Sequence, residues 1–478
     1  MNNSDKYKKL AKNTLLIAVG SFGARALSFF LVPFCTNYLS TEAYGVADII
    51  QTTVLLLTPV LTLNINMAVF LFALDKQGDP EEMLRYGEKL TVIGTLILSA
   101  GVLVPFLLNI FSVQPYCYLF LIIIFFTESL YYLLASYLRG TDQVAVYAVM
   151  GVIQSVTLFA VAVGGFIWLN AGLFGYLLSI ALGFVAANLF VMIVLLRRKK
   201  DRKKRRPLTG DTKKAMLLYS IPLIFNSIAW WINTSVDRYF VGMILGVGQT
   251  GIYSAATKIS NIFIVVAQFF LQAWGISSVV EYDREDKDGF FANMYSLFNT
   301  AVLVLCSVLV LINIPVAKIL YAKDFYEAWQ YSSILLYANV FNVLGNFVGS
   351  VFTAVKDSKA YAVTTIIAAA ANVLMNLLLI PKFGVYGAAL ATLLSFFLIW
   401  VTRFVYVRKY IRWKVHLIRD VICYAALFGQ IAAEHISGHG YYFQAAALAV
   451  IIILNFGDLR KTCRKLWHIL GKKLRRAK

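Results

Sequence analysis

Asp237 and Arg238 stand side by side in the apolar stretch "INTSVDRYFVGMILG". Arg25, Glu128 and Lys258 are set in equally apolar surroundings. At the centre of a membrane-spanning helix each such residue costs roughly 2.5–3.5 kcal/mol on insertion scales, so it normally faces protein or water. The chemistry these residue types suggest is binding. Arginine and lysine attract a phosphate or diphosphate. The side-chain amides of Asn233, Asn261, Gln268 and Gln272 match sugar hydroxyls. Signs of catalysis are thin, with no Ser/His/Asp cluster or acidic metal pair. "GDTKKA" at 210–215 lacks the spacing of a phosphate-binding loop, so ATP hydrolysis is not expected. His435 and His439 in "EHISGHG" have the i, i+4 spacing of metal ligands, but Gly438 breaks a helix between them. Five scattered cysteines read as small apolar fillers. The expectation is a protein that is not an enzyme and holds no cofactor and no metal.

The elements that carry these residues follow from composition. The chain has 478 residues, 60% hydrophobic and only 14% charged. A soluble domain is usually near half apolar and a quarter charged, so apolar excess over the whole length means many membrane spans. Fourteen runs are long enough: roughly 14–37, 44–73, 89–112, 115–138, 144–168, 173–196, 215–245, 251–279, 291–313, 331–355, 360–380, 384–407, 417–435 and 441–457. The last two are short. The runs 44–73 and 215–245 exceed one bilayer, and Pro59 and Pro222 are natural places for a bend. Positive charge orients the spans. With the N-terminus inside, inner segments hold 36 of the 44 Lys and Arg residues, and outer segments only Lys318, Lys323 and Lys382. Both termini are then cytoplasmic. The run "RRKKDRKKRR" at 197–206 reads as a topology anchor that touches anionic lipid, not as a nucleic-acid site.

Two segments repeat. "YLSTEAYGVADII" (38–50) resembles "ILGVGQTGIYSAATKI" (244–259), with Gly45 opposite Gly251 at an offset of 206. "GLFGYLLSIALG" (172–183) resembles "GVYGAALATLLS" (384–395). Six spans per repeat give both halves the same orientation, which predicts two parallel six-helix lobes and a cavity at their interface. The lobes would be residues 1–205 and 206–410, with 411–478 adding two helices and a basic tail. The first two spans of each repeat bear polar stripes at helical spacing: Ser21, Arg25 and Ser28; Asp48, Gln51, Thr58 and Thr62; Asn233 and Asp237 beside Trp231, Thr234 and Arg238; and Lys258, Asn261, Gln268 and Gln272. Such stripes predict a hydrated cavity, or interhelical hydrogen bonds that only hold the bundle. Asn339, Asn342 and Asn346 read as structural glue, and Glu42 and Asp48 as solvated near an outer helix end.

The layout of six plus six plus two, with "SVDRYFVGMILGVGQTGIYSAATKIS" and "FLVPFCTNYLSTEAYGVADI", resembles the bacterial Wzx-type oligosaccharide flippases. These belong to the multidrug/oligosaccharidyl-lipid/polysaccharide exporter superfamily. The resemblance implies two lobes that alternate access. It implies that undecaprenyl-pyrophosphate-linked oligosaccharide is moved from the cytoplasmic to the outer leaflet of the bacterial plasma membrane. Arg25 sits where the lipid II flippase has a helix-1 arginine that receives the pyrophosphate, and the last two spans match its lipid-tail groove. The expected cavity residues are Arg25, Lys258, Arg238, Asp237, Asn233, Asn261, Gln268, Gln272 and Glu128. Membrane lipids, a proton or sodium ion for coupling, and polysaccharide assembly proteins are the expected partners. A cation-coupled multidrug exporter of the same superfamily stays open, with Glu128, Asp48 and Asp237 as its acids. So does a membrane polysaccharide polymerase or ligase, although that chemistry needs a large external loop.

Overall fold

The computed structural model describes residues 27, 29–75, 78–108, 113–198, 207–413, 415–436, 440–458 and 460. They form α1 (Val32–Tyr38), α2 (Thr41–Leu61), α3 (Ile65–Leu74), α4 (Pro80–Leu107), α5 (Pro115–Gly140), α6 (Val144–Leu169), α7 (Gly172–Arg198), α8 (Gly210–Ser235) and α9 (Asp237–Leu245). Then follow α10 (Val247–Val280), α11 (Phe290–Leu311), α12 (Asn313–Leu320), a 3-10 turn (Lys323–Ala328), α13 (Trp329–Ala354), α14 (Ser358–Phe383), α15 (Val385–Val407), α16 (Leu417–Ala433) and α17 (Gly440–Leu454). No strand occurs among the described residues. Among the described residues eleven helices are long and apolar enough to cross a membrane, and α17 is a shorter apolar helix. The protein is an all-α, multi-spanning membrane protein. Of the first expected span, 14–26 lies outside the described residues.

Local sequence sets the helix starts. Ser40 caps α2 by accepting the Ala43 N–H, and Asp79 caps α4 by accepting the Glu81 N–H, with Pro80 in the first turn. Asp357 caps α14 through the Ala360 N–H at 2.9 Å. The Tyr410 hydroxyl also donates to Asp357, and together these two donors hold its carboxyl below the usual aspartate range.

The two overlong runs are interrupted, but not at their prolines. Pro59 lies inside α2, and the chain breaks just after it, where Leu63 and Asn64 adopt φ of 55° and 51°. Pro222 lies inside α8, and that run breaks at Val236 instead.

Two compact units emerge. The first comprises residues 1–231 with 246–251, and the second residues 232–245 with 252–478. In the first, Ile65, Val69 and Phe72 of α3, Met83 and Leu84 of α4, Leu130 and Leu134 of α5 and Val191 of α7 share one core. The lipid-compatible side of α4 is apolar and open: Leu96, Ile97 and Leu107 are all exposed. Asp48, expected to be solvated, is buried, whereas Glu42 is exposed. The start of α10 crosses the start of α2 in the same unit. There a Cβ on Gly45 would overlap the Val247 carbonyl oxygen, and a Cβ on Gly251 the Thr41 carbonyl oxygen. Only glycine allows backbones this close.

In the second unit α13 is central. Of its most apolar stretch 83% is buried, the mark of a helix enclosed on all sides. Helices α11, α14 and α15 pack around it.

Candidate functional site

The break at Val236 makes Asp237 the first residue of α9, where the unpaired N–H groups and the helix dipole favour negative charge. The carboxylate is buried, with 2% exposure. Three further helices converge on it. Tyr253 of α10 donates its hydroxyl to Oδ2 at 2.9 Å, and Thr392 of α15 donates to the same oxygen. Asn376 of α14 donates from Nδ2 to Oδ1 at 2.5 Å. The same nitrogen also faces the Asn372 carbonyl and Oδ1, each at 3.0 Å. Asn376 Oδ1 and Asn372 Nδ2 are buried without a partner. One turn earlier Asn233 donates to the Thr365 carbonyl at 3.2 Å and accepts from Ser395 at 3.0 Å.

No lysine or arginine among the described residues forms an ion pair with Asp237. A buried carboxylate lacking a cation is expensive even when hydrogen-bonded. Hydroxyl, amide and carboxylate oxygens around it are the donor set of a small hard cation, and a proton neutralises it equally well. Among the described residues no group of three or more His, Cys, Asp and Glu could hold a metal.

Asn233 and Asp237 each bond to α14 and α15, through separate sets of partners. Arg238 is half-buried and donates from Nη1 to the Thr234 carbonyl of α8 at 3.1 Å. Along α10, Lys258 and Gln268 are half-buried, and Asn261 and Gln272 are exposed. Glu128 belongs to the first unit, buried in α5 with Tyr132 one turn along the same helix. Arg25 and His439 lie outside the described residues. Trp231, of the same stripe as Arg238, donates its Nε1–H to the Thr52 carbonyl at 2.9 Å.

Sequence reasoning passed over Arg403 of α15. It is fully buried, and no carboxylate among the described residues pairs with it. Instead Nη1 donates to the Gly345 carbonyl at 3.0 Å and Asn346 Oδ1 at 3.3 Å, Nη2 to Thr365 at 2.9 Å and Nε to Thr364 at 3.3 Å. The Tyr361 ring covers the guanidinium at 4.0 Å. From Asn346 the polarity runs on along α13, with Asn346 donating to Asn342 and Asn342 to Asn339. The asparagine stripe is thus tied to a buried charge. The pair Asn372 and Asn376, four residues apart in "NVLMN", was the available signal for the Asp237 network.

Residues 10–274 match the family described as "Polysaccharide biosynthesis protein". The chain is 25% identical over 257 residues to an uncharacterized membrane protein of Methanocaldococcus jannaschii, covering 51% of this chain and 61% of the relative. It is 23% identical over 269 residues to the "Probable low-salt glycan biosynthesis flippase" of Haloferax volcanii, covering 55% of each. The chain therefore spans only 55% to 61% of the length of these curated relatives. Among solved structures, the lipid II flippase MurJ in an inward closed conformation aligns with TM-score 0.70 at 14% identity, covering 95% of this chain and 99% of that one. An inward-facing multidrug resistance MATE transporter of the MOP superfamily aligns with TM-score 0.64 at 13% identity, covering 80% and 94%. At such identity the likeness is one of fold.

Proposed function

Since the chain belongs to the polysaccharide biosynthesis protein family, we propose that it is a flippase that moves lipid-linked oligosaccharide from the inner to the outer leaflet of the plasma membrane by alternating access. The moving parts are lobes 1–205 and 206–410, with 411–478 attached and both termini cytoplasmic. The family description and the printed name of the Haloferax relative support the cargo class. Arg25, Lys258 and Arg238 attract the diphosphate, and Asn261, Gln268 and Gln272 hydrogen-bond sugar hydroxyls. The polyprenyl tail stays in lipid, which separates a polar route for the head from an apolar route for the tail. Glu128 is a buried acid of the first lobe that remains available to the same cavity.

The single observation that carries the mechanism is the Asp237 carboxylate, buried among donors from α10, α14 and α15 with no basic partner among the described residues. We assign it the coupling cation, a proton or sodium ion, and give Asn233 the task of holding α8 in register beside it. A cation that neutralises Asp237 removes the cost of burying it. It thereby favours one arrangement of α9, α10, α14 and α15 over another. The cargo site is tested with purified protein in liposomes holding a fluorescent lipid-linked sugar. Arg25→Ala and Lys258→Ala should abolish flipping while expression stays normal, and unimpaired flipping in both would exclude that site.

A further inference from the structure

The two C-terminal helices carry a second buried acid, and its surroundings differ from those of Asp237. Glu434 closes the C-terminal end of α16 and is 7% exposed. Its Oε1 accepts from Asn313 Nδ2 of α12 at 3.2 Å. That same nitrogen donates to the Trp329 carbonyl at 2.9 Å and to Ser333 Oγ of α13 at 3.0 Å. The Ser333 side chain also lies beside the Glu434 carboxyl. Asn313 and Ser333 are fully buried.

Counting hydrogens shows a deficit. The Asn313 amide has two hydrogens and the Ser333 hydroxyl one, for five acceptors: the Trp329 carbonyl, Ser333 Oγ, both Glu434 oxygens and Asn313 Oδ1. Glu434 Oε2 and Asn313 Oδ1 are left buried with no partner. No lysine or arginine among the described residues pairs with Glu434. The opposite end of α16 shows what a compensated acid looks like. There Asp420 and Asp458 share Arg419, at 3.1 and 2.7 Å. The other titratable groups around Glu434 are Cys306 of α11, Tyr386 of α15 and His435. The Tyr386 hydroxyl lies 3.1 Å from His435 Nε2, and Glu327 is engaged by Tyr331 at 2.5 Å. None of them supplies a fixed positive charge at the carboxylate.

We propose that Glu434 is a proton-binding site, seated by Asn313 and Ser333, that takes up one proton from solution. A proton on Oε2 cancels the charge and provides the missing donor in one step. A metal ion fits poorly. The Trp329 carbonyl can only accept, so it fixes the Asn313 amide with its hydrogens pointing into the space between the three oxygens. His435, the next residue, is exposed. With the proton bound, α16 is tied to α12 and α13. With it lost, an unpaired charge is buried at that joint and the tie weakens. The site depends neither on the cargo nor on the coupling cation proposed above.

Infrared difference spectra of the full-length protein in nanodiscs, wild type minus Glu434→Gln, test it. At about pH 6 the difference should contain a protonated-carboxyl C=O band, which gives way to carboxylate bands as the pH rises. Replacing sodium by choline at fixed pH should leave the band unchanged. Carboxylate bands alone at about pH 6 would overturn the proposal, and so would a band that sodium removes. Ser333→Ala gives a second reading that leaves Glu434 in place: loss of a donor to the carboxyl should shift its C=O frequency, and an unshifted band would overturn the seat. Stability supplies a third. The neutral form is the one that fits, so the wild-type unfolding midpoint should fall as pH rises while that of Glu434→Gln stays level, and parallel curves would refute the site.

Discussion

Substitution of Gly45 and Gly251 by alanine tests whether the starts of α2 and α10 cross backbone against backbone. A Cβ on Gly251 would overlap the Thr41 carbonyl oxygen and lie 3.2 Å from the Gly45 nitrogen. A Cβ on Gly45 would overlap the Val247 carbonyl oxygen and lie 3.0 Å from the Gly251 nitrogen. Both overlaps are with backbone, which cannot swing aside as a side chain can. The start of α2 must therefore move away from the start of α10. Overpacking of this kind costs about 1–3 kcal/mol, enough to change the folded-to-unfolded ratio by roughly 5- to 160-fold. One displacement relieves both overlaps, so the double alanine variant should cost little more than either single one. That coupling is large and of definite sign. Unfolding free energies of wild type, Gly45→Ala, Gly251→Ala and the double variant, measured by steric trapping in bicelles, give the cycle. Single variants indistinguishable from wild type, or costs that simply add, would refute the crossing.

Other expectations concern single side chains. Arg403→Met should destabilise the protein by about 3–5 kcal/mol, because buried acceptors lose their donors. Arg403→Lys should recover only part of this, since an ammonium cannot fork between α13 and α14; the same unfolding assay ranks the two. Asp357 lies outside the spans, and its carboxyl is held low chiefly by Tyr410, then by the Ala360 N–H. Its stabilising effect is present above the unfolded-state value and is lost as pH falls through the folded one. Tyr410→Phe should therefore reduce the acid-side loss of stability seen in pH-dependent melting. The described native cysteines are all buried. With Cys463 replaced by serine, a cysteine at position 324 should react with a membrane-impermeant maleimide from outside intact cells, and one at 288 only after lysis.

The all-α, multi-spanning architecture was legible in the sequence, because bilayer thickness acts on composition directly. The Gly45 and Gly251 offset of 206 pointed to the repeat, and the structure shows why both positions need glycine. The helix breaks were not legible. Proline marks a missing donor, but a lone helix proline is absorbed at Pro59 and Pro222, and the interruptions fall at Leu63, Asn64 and Val236. Charge partners were equally hidden. Asp237 finds Tyr253, Asn376 and Thr392 across separations of 16, 139 and 155 residues, which no local pattern encodes. Arg403 carries no local mark either, and only its satisfied donors place it in the core.

The central claim is that cation binding at Asp237 drives movement of a lipid-linked sugar. It is tested most directly by flipping rates in liposomes with and without an imposed proton or sodium gradient, for wild type and Asp237→Asn. The account predicts that one of the two gradients accelerates wild-type flipping. Asp237→Asn should keep the slow gradient-free exchange and lose the acceleration. An Asp237→Asn protein that responds to the gradient as wild type does would contradict it, as would wild-type flipping indifferent to both ions.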